Sequence, residues 1–284
     1  MKKDIVLILR AGGMMGIFTA GVLEEIHKKY RGRIHSIYGS SSGADVGVYF
    51  LSNQPNVPYI FFKKYLASKD FIRGNMLLYA LKIFLLKKST IQDYIDIEYV
   101  ERIAKESECA IDLPTLEQTD IQFFIKAINT TTAKGEYLPA QPHLFDKLKA
   151  SSQTGPFSSR AIQLGDYQYI DGGTLPADIE RDIIQEHSDK TVIYIEPGYT
   201  SLLSKIILYP LHLVAGAALA TLFSKRLGKR YVQDLWKDPM KDLSTFDNVV
   251  HIKNAHCYSG FCTDKEKLEK VYRHGRLVGE KLEL

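Results

Sequence analysis

Cysteine is scarce in this chain: Cys109, Cys257 and Cys262 are the only three in 284 residues. An odd, sparse set is not a disulfide framework, and no pair has zinc-finger spacing. Free thiols in a reducing compartment follow. No secretory leader is expected either. After Met1-Lys2-Lys3-Asp4, the apolar run Ile5–Leu9 stops at Arg10, short of the roughly 7–15 residues of a secretory apolar region. The run reads as a first buried strand, and a cytoplasmic protein is expected. Charge of one sign is not concentrated: 37 Lys and Arg oppose 33 Asp and Glu, for a net +4. Nucleic-acid binders cluster basic residues more densely, so no nucleic-acid partner is expected. The mild positive balance suits an anionic membrane surface without demanding one. Internal repeats, low-complexity linkers and an aspartate-rich calcium loop are absent as well.

What is present is globular: 45% hydrophobic and 25% charged residues, in a length that one α/β domain can hold. Ile5–Leu9 reads as a buried strand ending at Gly12-Gly13. Gly16–Tyr30 reads as an amphipathic helix, with Ile17, Ala20, Leu23 and Ile26 on one face. Ile34–Tyr38 is a second strand, and Gly43–Leu51 a second helix entered through a tight Gly/Ser turn. Phe61–Leu66, Asn75–Leu86 and Tyr94–Lys105 read as helices. Asp120–Ile128 reads as a strand, Gly135-Glu136 as a turn and Asp146–Ala150 as a short helix. Ile162–Asp171 reads as strands, Thr191–Ile195 as another, and Asp264–Leu282 as an amphipathic tail helix. Strands alternating with helices predict a mostly parallel sheet with helices on both faces.

The stretch Ile206–Phe223 carries no charge beyond what His212 can take. Pro210, Gly216 and four alanines argue against a membrane span, so a helix of the globular domain is expected. The rival reading is an apolar lid or membrane-facing helix, flanked by Lys225, Arg226, Lys229 and Arg230. Asn75–Lys88 has the same two readings.

Three motifs carry chemistry. Gly39-Ser40-Ser41-Ser42-Gly43 lies between a predicted strand and a predicted helix, the context of a nucleophile elbow. There a serine sits in a sharp turn, so its neighbours at minus two and plus two must be small. A plain helix-capping loop fits the same residues. Arg10–Gly16 also joins a strand to a helix. Its glycine turn can present N–H groups to an oxyanion, or act as a dinucleotide turn through Ala11-x-Gly13-x-x-Gly16. A dinucleotide would need an acid at the end of the second strand, and Gly39-Ser40-Ser41 stands there instead. Asp171-Gly172-Gly173 is either an ordinary turn or an exposed base at a strand end. None of the eight histidines sits in a triad context, which favours a Ser–Asp dyad.

In this order the three motifs resemble those of the patatin-like phospholipases: a glycine loop after the first strand, a G-x-S-x-G elbow and a D-G-G. Ile17–Leu23, Asn129–Glu136 and Leu148–Ser152 with Pro156-Phe157 resemble further family stretches. The resemblance implies a three-layer α/β/α sandwich around a mostly parallel central sheet. It would be a single domain over 1–284, with a core at about 4–195 and a C-terminal helical part at about 200–284. It implies a lipid acyl hydrolase acting on phospholipids, lysophospholipids or acylglycerols, with neither metal nor cofactor. Ser41 would be the nucleophile and Asp171 its base. The N–H groups of Gly12, Gly13 and Met14 would form the oxyanion hole, and Ala11, Gly16, Gly39, Gly43, Gly172 and Gly173 would shape the turns. The chain departs from the family pattern at Ala11, in place of a glycine, at Met15, in place of an arginine, and at Asp45, beside the elbow. A catalytically silent lipid-binding module is the alternative.

Overall fold

The computed structural model describes residues 2–74, 76–85, 93–175, 179–198, 209–237, 243, 245–256 and 258–284. Strand β1 (Ile5–Leu9) is buried at every residue. A run with no polar side can only lie inside a sheet covered on both faces. It pairs in parallel with β2 (Ile34–Ser40) on one side and with β7 (Thr191–Glu196) on the other. The parallel set is completed by β3 (Gln122–Asn129) beside β2 and β8 (Val249–Lys253) beside β7. Strands β4 (Lys134–Pro139), β5 (Ile162–Leu164) and β6 (Tyr167–Asp171) join antiparallel. The result is an eight-stranded mixed sheet in the order β5-β6-β3-β2-β1-β7-β8, with β4 on β3.

The alternation of β1 sorts the two covering layers. Ile5, Leu7 and Leu9 enter the main core with residues of α1 (Gly16–Tyr30), α2 (Ser42–Leu51) and the tail helix Lys265–Glu280. Val6 and Ile8 enter a second core with Ile183 and Ile184 of the helix Glu180–Glu186. Helices on both faces of one sheet make the expected α/β/α sandwich. Between the elements of the sandwich lie α3 (Met76–Leu85), α4 (Ile97–Glu106) and α5 (Leu144–Ser152). The Glu180–Glu186 helix is α6. A hairpin of α7 (Tyr209–Leu222) and α8 (Lys225–Asp234) follows, and the tail helix is α9.

Several expectations change. Gly135-Glu136 lies within β4, because the chain reverses earlier. The Asn129 side chain accepts the N–H groups of Thr131 and Thr132, an Asx turn that completes the reversal before Lys134. Helix α4 starts at Ile97 because Asp96 caps it, accepting from the N–H of Tyr99 at 3.1 Å. The part beyond residue 200 is not all helical, since β8 extends the sheet. In the segment 206–223, Ile206, Ile207 and Leu208 lie outside the described residues, as do Asn75, residues 86–88 and Cys257. Among the described residues, no helix is long and apolar enough to cross a membrane.

Candidate active site

Strand β2 ends at Ser40 and α2 begins at Ser42, leaving Ser41 alone in the turn. Its φ of 52° and ψ of −128° are costly for a residue with a side chain. The crowding around it explains the flanking glycines. A Cβ on Gly39 would lie 2.6 Å from Ala44 Cα, and one on Gly43 would lie 2.3 Å from Leu9 O. The Ser41 N–H donates to Ser151 Oγ at 2.7 Å, and that hydroxyl donates to Lys126 O at 2.6 Å. Buried Ser151 thus ties the strained residue to α5 and β3.

Register brings Asp171 to Ser41. On β3, Lys126 is the partner of Ser40 and Ala127 is the partner of Asp171. Strand β4 holds the opposite edge of β3, so β2 and β6 share one edge and meet end to end. Their last residues face each other, and Ser41 Oγ donates to Asp171 Oδ2 at 2.9 Å. Thr154 Oγ1 donates to the same oxygen at 2.9 Å, and the Gly173 N–H donates to Oδ1. Gly172 has no room for a side chain: a Cβ would lie 2.3 Å from Lys126 O. Burial pushes the Asp171 carboxyl above the usual carboxylate range, against the opposing effects of these hydrogen bonds and of the Lys126 charge. A carboxylate so placed is a stronger base than one in water.

The glycine loop runs alongside. Gly12 donates its N–H to Ser42 Oγ at 3.1 Å, and Met14 donates to Gly260 O at 2.8 Å. The N–H of Gly13 has no hydrogen-bond partner among the described residues. Gly13 itself has φ +53, and a Cβ there would lie 2.4 Å from Gly260 O. Met15 is buried in the main core, so the position where the family carries an arginine is built here for an apolar side chain. Arg10, at the start of the loop, pairs with Glu196 at 3.0 Å and donates its backbone N–H to Ile195 O. Ala11 packs where Gly173 has no side chain.

Ala11, Gly12, Gly13, Ser41, Asp171 and Gly173 all border one cavity of about 1060 Å³. Its other walls are mostly apolar and include Phe62, Tyr79, Ile83, Ile97, Val214 and Phe261. Helix α3 supplies one wall and α7 another. Asp45, one turn along α2 from Ser41, also lines it and accepts from Ser152 Oγ at 3.4 Å. Burial, reinforced by the charge of Asp171, pushes the Asp45 carboxyl up to about 7. Among the described residues, His212 is the one histidine on the wall, with Nδ1 2.8 Å from Tyr231 OH. No histidine contacts Ser41 or Asp171 among the described residues. No cluster of three or more His, Cys, Asp or Glu fit to hold a metal occurs among them either.

The sequence pattern brought out Ser41, Asp171 and the glycines, and the fold brings them together. It assigned no task to Ser151, Thr154 or Gly260. Ser151 sat within Leu148–Ser152, a stretch already singled out, whereas Thr154 and Gly260 carry no local signal.

The family model described as Patatin-like phospholipase matches residues 7–180. An uncharacterized protein, YjjU of Escherichia coli (strain K12), is 27% identical over 178 residues, covering 60% of this chain and 45% of that protein. The matched part is thus less than half of that relative's length. Among solved structures, VipD from Legionella pneumophila superposes with a TM-score of 0.47 at 12% identity, over 98% of this chain and 66% of that one. The type III effector protein ExoU gives a TM-score of 0.29 at 13% identity, over 81% of this chain and 54% of its own.

Proposed function

The chain belongs to the patatin-like phospholipase family, and from that premise we propose that it is a lipid acyl hydrolase working through a Ser41–Asp171 dyad. The observation that carries the proposal is the 2.9 Å hydrogen bond from Ser41 Oγ to Asp171 Oδ2 at the wall of an apolar cavity. Ser41 Oγ attacks the ester carbonyl carbon while its proton passes to Asp171. The carbonyl oxygen becomes an oxyanion, held by the N–H of Gly13. The N–H groups of Gly12 and Met14 join it on leaving Ser42 Oγ and Gly260 O. Asp171 returns the proton to the departing alcohol, leaving an acyl-enzyme. Water then attacks the acyl carbon, Asp171 takes its proton, and the fatty acid leaves as Ser41 is restored. The chain's own residues suffice for each step, with neither metal nor cofactor.

The cavity suits an acyl chain, because its walls reward burial of methylene groups by roughly 0.8 kcal/mol each. The α7 rim supports contact with a lipid surface. Leu211, Leu213 and Val214 are exposed there, Tyr209 packs on Trp236 with ring centroids 5.5 Å apart, and Lys225, Arg226 and Lys229 are exposed on α8. We place the protein in the cytoplasm, at the periphery of a membrane.

A fluorophosphonate probe tests the dyad. Wild type is expected to label on Ser41. Ser41→Ala should lose all labelling, and Asp171→Asn should lower its rate by about 100-fold or more. Failure of folded wild type to label would remove the hydrolase proposal and leave a lipid-binding role.

A further inference from the structure

Among the described residues, two carboxyl groups border the cavity, those of Asp45 and Asp171, and the mechanism uses only Asp171. Asp45 lies one helical turn beyond Ser41, its N–H donating to Ser41 O at 3.1 Å. It is close enough to Asp171 for the two charges to repel. Around it stand Ser152 of α5, whose hydroxyl it accepts, and Tyr49 of its own helix. A small recess behind it is lined by Glu101 and Lys149, and these pair with each other at 3.0 Å. Across the cavity, α7 contributes His212. Among the described residues, the cavity wall holds no lysine or arginine. An anionic group entering such a space would meet one or two negative charges and, among these residues, no lysine or arginine.

We propose that Asp45 makes the cavity a charge filter, which admits uncharged acyl esters such as acylglycerols in preference to anionic phospholipids. This rests on the lipid hydrolase reading given above. The filter acts on the part of the substrate nearest the ester, where the headgroup begins, while the acyl chain follows the apolar walls. It is strongest when Asp45 is ionised. At an effective dielectric near 20, one unit charge about 8 Å away changes the occupancy of an anion by roughly tenfold or more. Since Asp45 titrates at about 7, discrimination should rise between pH 6 and 8.5. The charge of Asp171 changes too, but only its ionised form turns over either substrate, so its repulsion of an anion is the same at every pH and drops out of the pH dependence of a ratio of rates.

The test is a rate ratio. Monooleoylglycerol and oleoyl lysophosphatidylglycerol share one acyl chain, and the phosphodiester does not titrate over this range. The ratio of neutral to anionic hydrolysis is measured from pH 6 to 8.5 in uncharged detergent micelles, for wild type, Asp45→Asn and His212→Gln. Wild type and His212→Gln are expected to show a ratio that climbs about tenfold with pH, and Asp45→Asn a ratio that stays within twofold. A flat wild-type ratio, or a climb that survives in Asp45→Asn, overturns the filter. A climb abolished by His212→Gln assigns the effect to His212 and overturns it as well. Binding of the non-hydrolysable alkyl ether analogues of the same two lipids, followed by calorimetry at pH 8, decides the matter without catalysis. Asp45→Asn should bind the anionic ether about tenfold more tightly than wild type does, and equal affinity overturns the proposal. A protein that binds both ethers yet neither hydrolyses lipid nor labels with fluorophosphonate would instead count against the hydrolase reading.

Discussion

Asp171 is set between opposing influences, and Thr154 is the one most easily removed. Burial raises its pKa, while hydrogen bonds from Gly173, Thr154 and Ser41 hold it down. Only ionised Asp171 can take the Ser41 proton, so activity should rise with pH through an acid limb above the ordinary carboxylate range. Thr154→Val deletes a hydroxyl that donates to Asp171 Oδ2 at 2.9 Å and keeps the shape. A lost hydrogen bond to the charged form raises the pKa further. The acid limb of kcat/KM on a soluble short-chain ester should therefore move up by about one pH unit. A limb that stays put, or moves down, contradicts the geometry. Thr154 could not be read from the sequence, because its importance arises only when α5 and β6 come together. Ser41 and Asp171 could be read, because a strained turn and a packed strand end demand glycines beside them, and those glycines are visible in the chain.

Elements show the same division between what is local and what is not. Strand β1 and helix α1 end where the pattern places them, since each carries its own signal: an unbroken apolar run and a regular apolar face. Strands β4 and β8 had no such signal. Lys134–Pro139 is only half-buried, and it becomes a strand because β3 offers it an edge. The hairpin of α7 and α8 owes its closeness to glycines: a Cβ on Gly228 would lie 2.3 Å from Gly216 O. That contact leaves the outer side of α7 uncovered by α8, with Leu213 and Trp236 each more than two-fifths exposed. Neither side chain lines the cavity. Leu213→Ser with Trp236→Ser should weaken association with anionic vesicles by about tenfold or more. Turnover of a soluble short-chain ester should change less than twofold. Vesicle co-sedimentation reads the first effect, and an unchanged bound fraction would remove α7 from the lipid surface.

At the scale of the whole molecule, charge burial divides the protein's response to pH. Some carboxylates are held below their ordinary range by cations. Glu269, bonded first to Lys63 and also to Tyr59, is held down to about 2, and Asp4 is lowered by Arg33. These groups bind fewer protons folded than unfolded, so their stabilisation is present above about pH 4 and lost as pH falls below it. Asp45 and Asp171 behave in the opposite sense. Their folded pKa values are raised, so the native state holds more protons than the unfolded chain above about 3.9, for Asp45 up to about 7, with Asp171 shifted in the same direction by its burial. Stability from them is complete below the unfolded pKa and declines as pH rises through that window. The two trends cross among the carboxyls, while His27, His35, His187 and His274, all lowered first by burial, take stability away as pH falls below the ordinary histidine range, so a comparison with a variant isolates the raised carboxyls. Asp45→Asn removes one raised carboxyl without removing its volume. It should match wild type near pH 4 and be more stable at pH 8 by on the order of 1–3 kcal/mol, allowing for the solvent that reaches this half-buried group. Equal stability of the two proteins at pH 8 would show that Asp45 ionises in the folded state without penalty. It would then have to be solvated far better than its place between Ser152 and Asp171 allows.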